Sequence, residues 1–431
     1  MRVGIVICNY NKAEMVCSCI ESVLESVYKD YELFVCDNAS TDNSAELIDK
    51  RFSGKVKLVI NEVNKGGSGG FNAGLRKALE TDCEYLWLLD NDVLVDENAL
   101  SELVNFLDEN PDVGMAGSKI DNMENPDYVQ NFGMTVDFER FGTVAKFRGC
   151  PEDGTLPAVT YSDAVPACSV LVRRSVTDII GLLPEDNFLY WDDTEWGMLS
   201  NLAGFKVASV GKSLVLHSMG AKREEITTFP TYYAFRNGID FFMRFTPEEK
   251  IPDMCISYLR DIFDIQYEGI YNNEKNKAYT VMKAFDDALH GVRGKADDDV
   301  ILPVTSEYER HHFLMSNFSD IGIVPAGNNY EAEFLKEFLY DMGFQGNITI
   351  SEDRYSFPKG AAVIVMCPFL FEYGNFEKGI FVADGRMNLY LGGDDEQCCM
   401  NYVNSRDTFI SAYLPLFIEK TKEIRKKRKV L

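Results

Sequence analysis

Short apolar runs alternate with helically spaced apolar positions along the first 90 residues of the chain. A short run of β-branched and other apolar residues predicts a strand, whereas apolar residues three and four positions apart predict a helix. The predicted elements are the strand Arg2–Cys8, helix Ala13–Val27, strand Glu32–Cys36, helix Ser44–Arg51, strand Val56–Ile60, helix Gly70–Leu79 and strand Tyr85–Leu89. Because strands separated by single helices form right-handed βαβ units, we expect a Rossmann-like α/β domain with a mostly parallel sheet.

The pattern changes twice beyond this region, and the changes predict the domain organisation. Short strands and turns continue to about residue 219, whereas the apolar spacing from Thr228 to about Ala296 is helical. The charged stretch from Lys295 to Val300 predicts a boundary, after which strand and helix patterns return. We therefore predict an N-terminal α/β domain over residues 1–227, a helical segment over 228–300, a small C-terminal α/β domain of unknown role over 301–410 and an apolar, then basic, tail over 411–431.

The composition excludes several classes of protein. Lys and Arg number 43 against 68 Asp and Glu, and the net charge of −25 argues against binding of nucleic acid through a general basic surface. Aromatic residues make up 12% of the chain, which argues against disorder, and no apolar run approaches the ~18 residues of a membrane span. The first residues lack the zones of a signal peptide. The eleven cysteines form no Cys-x-x-Cys motif, so we expect reduced thiols and a cytoplasmic location.

Acidic and glycine-rich motifs follow the predicted strands, at the sheet edge where α/β domains bind ligands. Asp37 follows the second strand, where its carboxylate can bind a base or ribose or can cap the following turn. The segment from Asn64 to Gly74 (NKGGSGGFNAG) permits either close approach of the backbone to a diphosphate or a plain tight turn. Asp90 and Asp92 follow the fourth strand, and their carboxylates suit Mg²⁺ or Mn²⁺.

A second acidic motif lies between two tryptophans, and its members are Trp191, Asp192, Asp193, Glu195 and Trp196. The pattern indicates a carboxylate in a partly apolar cleft with aromatic faces on which a sugar can stack. Alternatively, the acidic cluster caps the helix that leads to Leu202. His217, in VLHSMG, ends a strand-like stretch and is either a structural residue or a ligand that joins the carboxylate pair.

The order of the motifs along the chain resembles the family 2 inverting glycosyltransferases of the GT-A fold. The motifs are IVICNYN, VCDNASTD, NKGGSGGFNAG, LLDNDV, WDDTEW, H-x-x-G and YYAFRN, and the resemblance covers roughly residues 1 to 240. The glycine turn and the WDD-x-E element look most like the bacterial galactofuranosyltransferase and rhamnosyltransferase branch. One departure is Asn91, where the galactofuranosyl branch tends to have a third Asp, and this leaves the metal preference open.

The resemblance implies a role for each motif. Asp90, Asp92 and His217 would bind a divalent cation, Mn²⁺ or Mg²⁺, and Asp193 would be the catalytic base. The nucleotide diphosphate sugar donor would contact Asn9, Tyr10, Asn11, Asp37, Asn64, Gly66, Gly67, Gly69, Gly70 and Asn91. The acceptor would contact Trp191, Asp192, Glu195 and Trp196.

The expected function is transfer of a hexosyl group to a glycan or lipid-linked acceptor in cell-surface polysaccharide synthesis. A UDP or dTDP sugar would be the donor, with galactofuranose or rhamnose favoured by the resemblance, and the anomeric carbon would be inverted. The alternative is a non-catalytic sugar-nucleotide-binding or scaffold protein, which we would expect to lack the base or a metal ligand. A nucleotidylyltransferase is disfavoured because the first loop, CNYNKAEM, lacks a Gly-rich, Arg-containing signature.

The basic end of the tail adds a predicted partner. Residues 420–429 carry seven basic side chains and one acidic one. They predict either a solvated chain end or docking on an anionic membrane surface, where each Lys or Arg contributes about 1 kcal/mol. Docking would make the protein peripheral on the inner face of the plasma membrane.

Overall fold

The computed structural model describes residues 1–218, 227–304, 306–327 and 329–428. In chain order, its strands are β1 (Val3–Asn9), β2 (Tyr31–Asp37), β3 (Lys57–Ile60), β4 (Tyr85–Asp90), β5 (Val93–Val95), β6 (Val113–Asn122), β7 (Asn125–Asn131), β8 (Met134–Asp137), β9 (Gly142–Ala145), β10 (Val159–Ser162), β11 (Ser169–Arg173), β12 (Lys206–His217), β13 (Asp320–Val324), β14 (Asn347–Ile350), β15 (Ala362–Cys367), β16 (Phe381–Asp384) and β17 (Leu389–Tyr390). The helices are α1 (Ala13–Glu25), α2 (Ser44–Phe52), α3 (Gly66–Leu79), α4 (Ala99–Glu109), α5 (Arg174–Ile180), α6 (Asp192–Leu202), α7 (Phe229–Phe245), α8 (Ile251–Tyr271), α9 (Lys275–His290), α10 (Glu309–Asn317), α11 (Tyr330–Asp341) and α12 (Asp394–Lys427). Short 3₁₀ turns lie at Glu185–Asn187, Glu248–Lys250 and Leu370–Glu372.

Ten strands form the first sheet, and eight of them follow the order β10-β12-β6-β11-β4-β1-β2-β3, while β5 pairs with β12 and β7 with β6. Six of these eight strands run in one direction, and β10 and β11 run against them. The predicted α/β fold with a mostly parallel sheet is therefore confirmed. Because β1, β2 and β4 are parallel neighbours, Asn9, Asp37 and Asp90 lie at one edge of the sheet.

Helices cover both faces of this sheet. Successive side chains of a strand point to opposite faces, so each strand contributes apolar residues to both helical layers. Ile5 of β1 packs in a core that includes α1, α2 and α4. Its neighbour Val6 packs on the other face, in a core that includes α3, α5 and α6. The two helices that carry the glycine segment and the acidic WDD motif, α3 and α6, therefore lie on the same face of the sheet.

Strands β8 and β9 form a separate two-stranded antiparallel sheet, and the rest of the described chain forms a helical bundle and a five-stranded second sheet. Helices α7, α8, α9 and α12 surround a core that includes Phe242, Leu259, Phe285 and Phe417. Proline occupies the first turn of α7 and of α8, where its missing N–H and fixed φ suit a helix start. The second sheet has the strand order β14-β13-β15-β16-β17, in which neighbouring strands are parallel except for the pair of β16 and β17.

Two helices differ from the sequence prediction. The α3 helix begins at Gly66 rather than Gly70, so the glycine segment forms its first turn. The α12 helix continues through the predicted boundary at residue 411 and packs against α8. No helix in the described ranges is long and apolar enough to cross a membrane.

Parts of two predicted motifs lie outside the described residues. These are Gly220 of the H-x-x-G motif and Lys429 at the basic chain end.

Candidate functional site

Predicted nucleotide-binding residues at the strand ends are joined by hydrogen bonds. Asn9 is fully buried and donates from Nδ2 to Oδ1 of Asp37 at 3.1 Å. Asn91, which follows β4, donates from Nδ2 to Oδ1 of Asn9 at 2.7 Å. The parallel pairing of β1 with both β2 and β4 brings these three side chains together.

Asp37 also holds the turn that follows β2. Its Oδ2 accepts the N–H of Ser40 at 3.1 Å, while Oδ1 of Asn11 accepts the N–H of Thr41 at 2.7 Å. Asn11 has a φ of 53°, in the left-handed region that Asn tolerates. The turn-capping alternative that the sequence leaves open for Asp37 is therefore present, and a ligand at this edge would meet a carboxylate already fixed in place. Tyr10 is 43% exposed beside it.

Close packing leaves no room for a Cβ atom at Gly66 or at Gly70 of the α3 segment. A Cβ atom on Gly66 would lie 2.0 Å from the carbonyl oxygen of Phe188, and one on Gly70 would lie 2.3 Å from Sγ of Cys8. Gly67 is different, because its Cβ would come no closer than 3.3 Å to another group. Since α3 has no side chain at these positions, its first turn lies against β1 and against the chain that leads into α6.

Asn38, which the sequence analysis did not single out, organises the loop before α3. Its Nδ2 donates to Oδ1 of Asn64 at 3.1 Å and to the carbonyl oxygen of Gly66 at 2.9 Å. Oδ1 of Asn64 also accepts the N–H of Gly66 at 2.8 Å. A Cβ on Gly69 would lie 2.6 Å from Cβ of Lys65, so Gly69 packs on the loop rather than facing an open ligand site.

Asp90, Asp92 and His217 form a cluster that could hold a divalent cation. One potential ligand atom from each residue lies within 4.8 Å of the others. The end of β4 supplies Asp90, and β12 supplies His217, whose Nε2 lies 3.4 Å from Oδ1 of Asp92. Carboxylate oxygens suit Mg²⁺ and Mn²⁺, and imidazole is a common additional ligand for transition metals. The donor set therefore fits the cation that the sequence predicts.

The charges of this cluster are unbalanced. Burial and the adjacent Asp92 carboxylate raise the pKa of Asp90 to about 6. Burial also acts to raise the pKa of Asp92, but hydrogen bonds from His217 and Lys12 outweigh it and lower that pKa. Burial would lower the pKa of His217, yet its bond to Asp92 and the charge of Asp90 raise it overall. A cation bound between these two carboxylates would offset their mutual repulsion and stabilise both in the ionised form.

The structure adds two residues to this cluster that the sequence analysis missed. Lys12 Nζ donates to Oδ2 of Asp92 at 2.5 Å, so an ammonium group already lies against one predicted metal ligand. Gln130 Nε2 lies 2.8 Å from Nδ1 of His217, and Oε1 of Gln130 is buried with no hydrogen-bond partner among the described residues. Rotating this amide by 180° would let Oε1 accept a hydrogen bond from Nδ1–H of His217 and leave Nε2 of His217 free to bind a cation.

Asp192 and Asp193 begin α6 and differ in their contacts. Ser68 of α3 donates from Oγ to Oδ2 of Asp192 at 2.8 Å, which ties the two motifs together. Oδ1 of Asp193 accepts the N–H of Thr194 at 2.6 Å. Burial and the neighbouring Asp192 raise the pKa of Asp193 to about 7. A carboxyl with such a pKa can accept a proton near neutral pH.

One cavity of about 340 Å³ brings most of these groups together. Its walls include Gly67, Asp90, Gln130, Arg148, Tyr190, Trp191, Asp192, Asp193 and His217. The cavity therefore joins two of the three predicted metal ligands, Asp90 and His217, with the predicted base and one glycine of α3. Arg148 and Tyr190 are lining residues that the sequence analysis did not identify.

Glu195 and Trp196 lie away from this cavity, in contrast to their predicted acceptor-binding role. Glu195 is 5% exposed and its Oε2 accepts from Nη2 of Arg244 at 2.6 Å. Trp196 is 2% exposed, packs in the sheet core and donates from Nε1 to the carbonyl oxygen of Gly181 at 3.1 Å. Because a helix turns by about 100° per residue, the motif faces the cavity with its first residues and the protein interior with its later ones.

Comparison with known proteins gives a family for the N-terminal region. Residues 4–165 match the model of glycosyl transferase family 2. The matched region contains Asp37, the glycine segment, Asp90 and Asp92, and it ends before α6 and β12.

Several bacterial transferases resemble parts of the chain. Over 236 residues it is 29% identical to the UDP-Glc:alpha-D-GlcNAc-diphosphoundecaprenol beta-1,3-glucosyltransferase WfaP of Escherichia coli, a match that covers 55% of this chain and 78% of that protein. Over 197 residues it is 24% identical to the galactofuranosyltransferase GlfT2 of Mycolicibacterium smegmatis, covering 42% of this chain and 30% of that protein. A poly-beta-1,6-N-acetyl-D-glucosamine synthase of Staphylococcus epidermidis is 33% identical over 106 residues, which are 24% of this chain and 25% of the synthase.

The chain thus spans 30% of the length of the galactofuranosyltransferase of Mycolicibacterium smegmatis and 25% of the length of the synthase of Staphylococcus epidermidis. Among solved structures, residues 1–349 of S. aureus TarS with UDP-GlcNAc align with a TM-score of 0.45 and 15% identity, over 68% of this chain and 82% of that one. Residues 4–165, which carry the carboxyl ends of β1, β2 and β4, are thus similar to the domain of glycosyl transferase family 2.

Proposed function

We propose that this protein is a metal-dependent, inverting glycosyltransferase that moves a hexosyl group from a nucleotide diphosphate sugar to a glycan or lipid-linked acceptor. The observation that carries the proposal is the cavity on which Asp90, His217 and Asp193 meet. A cation site and a carboxyl with a pKa near 7 on one cavity wall are the two groups that such a transfer needs. The family 2 match supports the same reaction class.

Asp90, Asp92 and His217 would hold the divalent cation. When bound, it would neutralise charge on the leaving diphosphate, a contribution of several kcal/mol. Arg148 brings a further positive charge to the cavity wall. Asn9, Asp37 and Asn91 form a preorganised polar edge at which the nucleoside would lie.

Asp193 is the proposed general base. A sugar hydroxyl is a weak nucleophile, so its proton must be removed as the oxygen attacks the anomeric carbon. Removal of that proton by a positioned carboxylate contributes roughly 10²–10⁴-fold to the rate. Attack from the side opposite the leaving diphosphate inverts the anomeric carbon in a single displacement. Asp192, held by Ser68, and Trp191 are the proposed acceptor contacts from the predicted set.

Galactofuranose or rhamnose is the proposed sugar, on a UDP or dTDP carrier. The motif order supports this branch, as does the similarity to a galactofuranosyltransferase of Mycolicibacterium smegmatis. A glucosyltransferase that acts on a diphosphoundecaprenol-linked sugar is also similar, which supports a lipid-linked acceptor.

The proposed membrane contact uses only some of the basic residues at the chain end, because two of the arginines there bind other parts of the protein. Arg425 donates from Nη1 to the carbonyl oxygen of Thr246 at 2.7 Å, and Arg428 donates from Nη1 to Oδ1 of Asp240 at 2.7 Å. The exposed side chains of Lys422, Lys426 and Lys427 remain for an anionic surface. Replacing these three lysines with Gln should lower flotation with phosphatidylglycerol vesicles, whereas unchanged flotation would exclude them as an anchor.

Acceptor-dependent release of nucleoside diphosphate tests the proposed function. Each candidate nucleotide sugar would be incubated with Mn²⁺ and a panel of short soluble glycans and lipid-linked sugars. We expect release with one donor only when its acceptor is present, loss of release in EDTA, and recovery with excess Mn²⁺ or Mg²⁺. Full activity in EDTA would contradict the metal site. Donor binding without release on any acceptor would favour a non-catalytic sugar-nucleotide-binding or scaffold protein.

A further inference from the structure

Six charged side chains form an ion-pair network behind α6. The side chains of Glu195, Asp240, Arg244 and Arg293 are at most 9% exposed, whereas those of Arg428 and Asp186 are 32% and 47% exposed. Asp240 of α7 is 1% exposed and meets three guanidinium groups: Nε of Arg244 at 2.9 Å, Nη1 of Arg293 at 2.5 Å and Nη1 of Arg428 at 2.7 Å. The other two carboxylates are Glu195 and Asp186. Three carboxylates and three guanidinium groups balance, so the network is electrically neutral as a unit.

This network joins the acidic motif to the far end of the chain. Glu195, in the first turn of α6, binds Arg244 at 2.6 Å. Arg244 and Arg428 share the carboxylate of Asp240, and Arg428 directly follows α12. Direct ion pairs therefore connect the first turn of α6 to α7, and α7 to the end of α12.

The chain just before α6 needs such support. Phe188, Tyr190 and Trp191 have φ values of 65°, 64° and 67°, in the left-handed region that is unfavourable for bulky side chains. Such conformations persist only where the surrounding structure imposes them. Asp192 and Asp193 follow directly, so the position of both carboxylates depends on how this segment is held.

Helix α7 holds the segment through the YYAFRN motif, to which the proposed function assigns no role. Nδ2 of Asn237 lies 2.9 Å from the carbonyl oxygen of Asn187, 2.8 Å from that of Leu189 and 3.2 Å from that of Tyr190. Arg236 donates from Nη2 to the Asn187 carbonyl oxygen at 3.1 Å. The same helix therefore binds the segment before α6 through Asn237 and, about two turns later, the first turn of α6 through Arg244.

We propose that this network positions Asp193 for proton transfer and that Arg428, at the end of α12, is a distant positioning residue for the reaction. The inference rests on the proposed function. Buried ion pairs often add little net stability, because desolvation offsets their attraction, whereas removal of one partner leaves the buried charge of the other uncompensated. A displacement of about 1 Å at a reacting group can cost 10²-fold in rate. Loss of Arg428 should therefore affect the chemical step more than donor binding.

The test compares Arg428→Ala with Arg260→Ala in steady-state transfer to a soluble acceptor, which removes any effect of membrane binding. Arg260 lies exposed on α8 of the same bundle, so its substitution deletes the same side chain outside the network. We expect Arg428→Ala to lower kcat about tenfold, on the scale of a sub-ångström to 1 Å displacement, with the donor KM within twofold of the wild type. Arg260→Ala should leave both constants unchanged.

Two rescue measurements distinguish positioning from general damage. Arg428→Lys keeps the charge and should recover part of the lost kcat. Guanidinium ion at low millimolar concentration should partly restore Arg428→Ala, because it supplies the deleted group, and should not change Arg260→Ala. A kcat for Arg428→Ala within twofold of that for Arg260→Ala would overturn the inference. A loss that neither rescue restores, or an equal loss of donor affinity, would overturn it as well. An inactive wild-type protein would instead contradict the proposed function.

Discussion

Asp193→Asn should lower the transfer rate and at the same time stabilise the fold, because the buried carboxylate of Asp193 destabilises the protein when it is ionised. Burial and the adjacent Asp192 raise the pKa of Asp193 from 3.8 to about 7. A tenfold change in an acid dissociation constant corresponds to about 1.4 kcal/mol, so the ionised Asp193 destabilises the metal-free protein by roughly 4 kcal/mol above pH 7. Below about pH 4, the side chain is protonated in both the folded and the unfolded chain, and this contribution vanishes. Asn is nearly isosteric and cannot ionise, so the variant avoids the cost.

We therefore expect Asp193→Asn to unfold at a higher temperature than the wild type at pH 8, with the two proteins converging towards pH 4. Thermal unfolding in EDTA at several pH values measures the difference. Over the same range, the wild-type transfer rate should fall as the pH drops below about 7, since the base must be ionised to accept a proton. The transfer rate of Asp193→Asn should be lower by roughly 10² or more, with donor affinity within a few-fold of the wild type.

Asp178→Asn, an exposed carboxylate on α5, is the matched control and should change neither property. A transfer rate near that of the wild type would refute the role of Asp193 as base. If Asp192→Asn were inactive at the same time, the base would be Asp192. Lower stability of Asp193→Asn at both pH 5 and pH 8 would refute the argument from burial.

Gln130→Leu removes the partner of His217 Nδ1, and loss of such a partner typically weakens metal binding 10–100-fold. The Mn²⁺ concentration for half-maximal activity should therefore rise by a similar factor. An unchanged value would show that Gln130 does not orient the imidazole. Gly70→Ala would force a Cβ to within 2.3 Å of Sγ of Cys8 and should destabilise the protein by about 1–3 kcal/mol, as overpacking does. Gly67→Ala, with its nearest contact at 3.3 Å, should change the unfolding temperature little, and equal effects of the two substitutions would contradict the packing account of the glycines.

The sequence predicts the parallel half of the first sheet well because that signal is local. In β1, β2 and β4 the apolar runs mark the strands to within a residue or two, and Asp37 and Asp90 come directly after the apolar runs of β2 and β4. The glycine segment is harder, because glycine suggests a turn by its conformational freedom. Here the segment is helical, and its glycines are needed because Phe188 and Cys8 leave no room for a Cβ atom. Those contacts come from distant parts of the chain.

The WDD motif is a second feature that the sequence predicts only in part. Its spacing indicates an acidic cluster, yet which carboxylate faces the cavity depends on the helical phase of α6. The phase places Asp193 on the cavity and Glu195 among the guanidinium groups of Arg244 and Arg293. A buried arginine partner has no sequence signature of its own. The basic chain end is similar, because its charge suggests solvent or lipid while Arg428 binds Asp240 inside the protein.

Stabilisation by a nucleotide sugar in the presence of Mn²⁺ tests the central claim most directly. The wild type and Asp92→Asn would be unfolded thermally with UDP-galactofuranose, dTDP-rhamnose, UDP-glucose or UDP-GlcNAc, each with Mn²⁺ or with EDTA. A donor at 100 times its Kd stabilises a protein by about 2.7 kcal/mol. The account predicts that at least one of these donors raises the unfolding temperature of the wild type with Mn²⁺, and that EDTA or Asp92→Asn abolishes most of the increase. Equal stabilisation with Mn²⁺ and EDTA, or none with any nucleotide sugar, would contradict it.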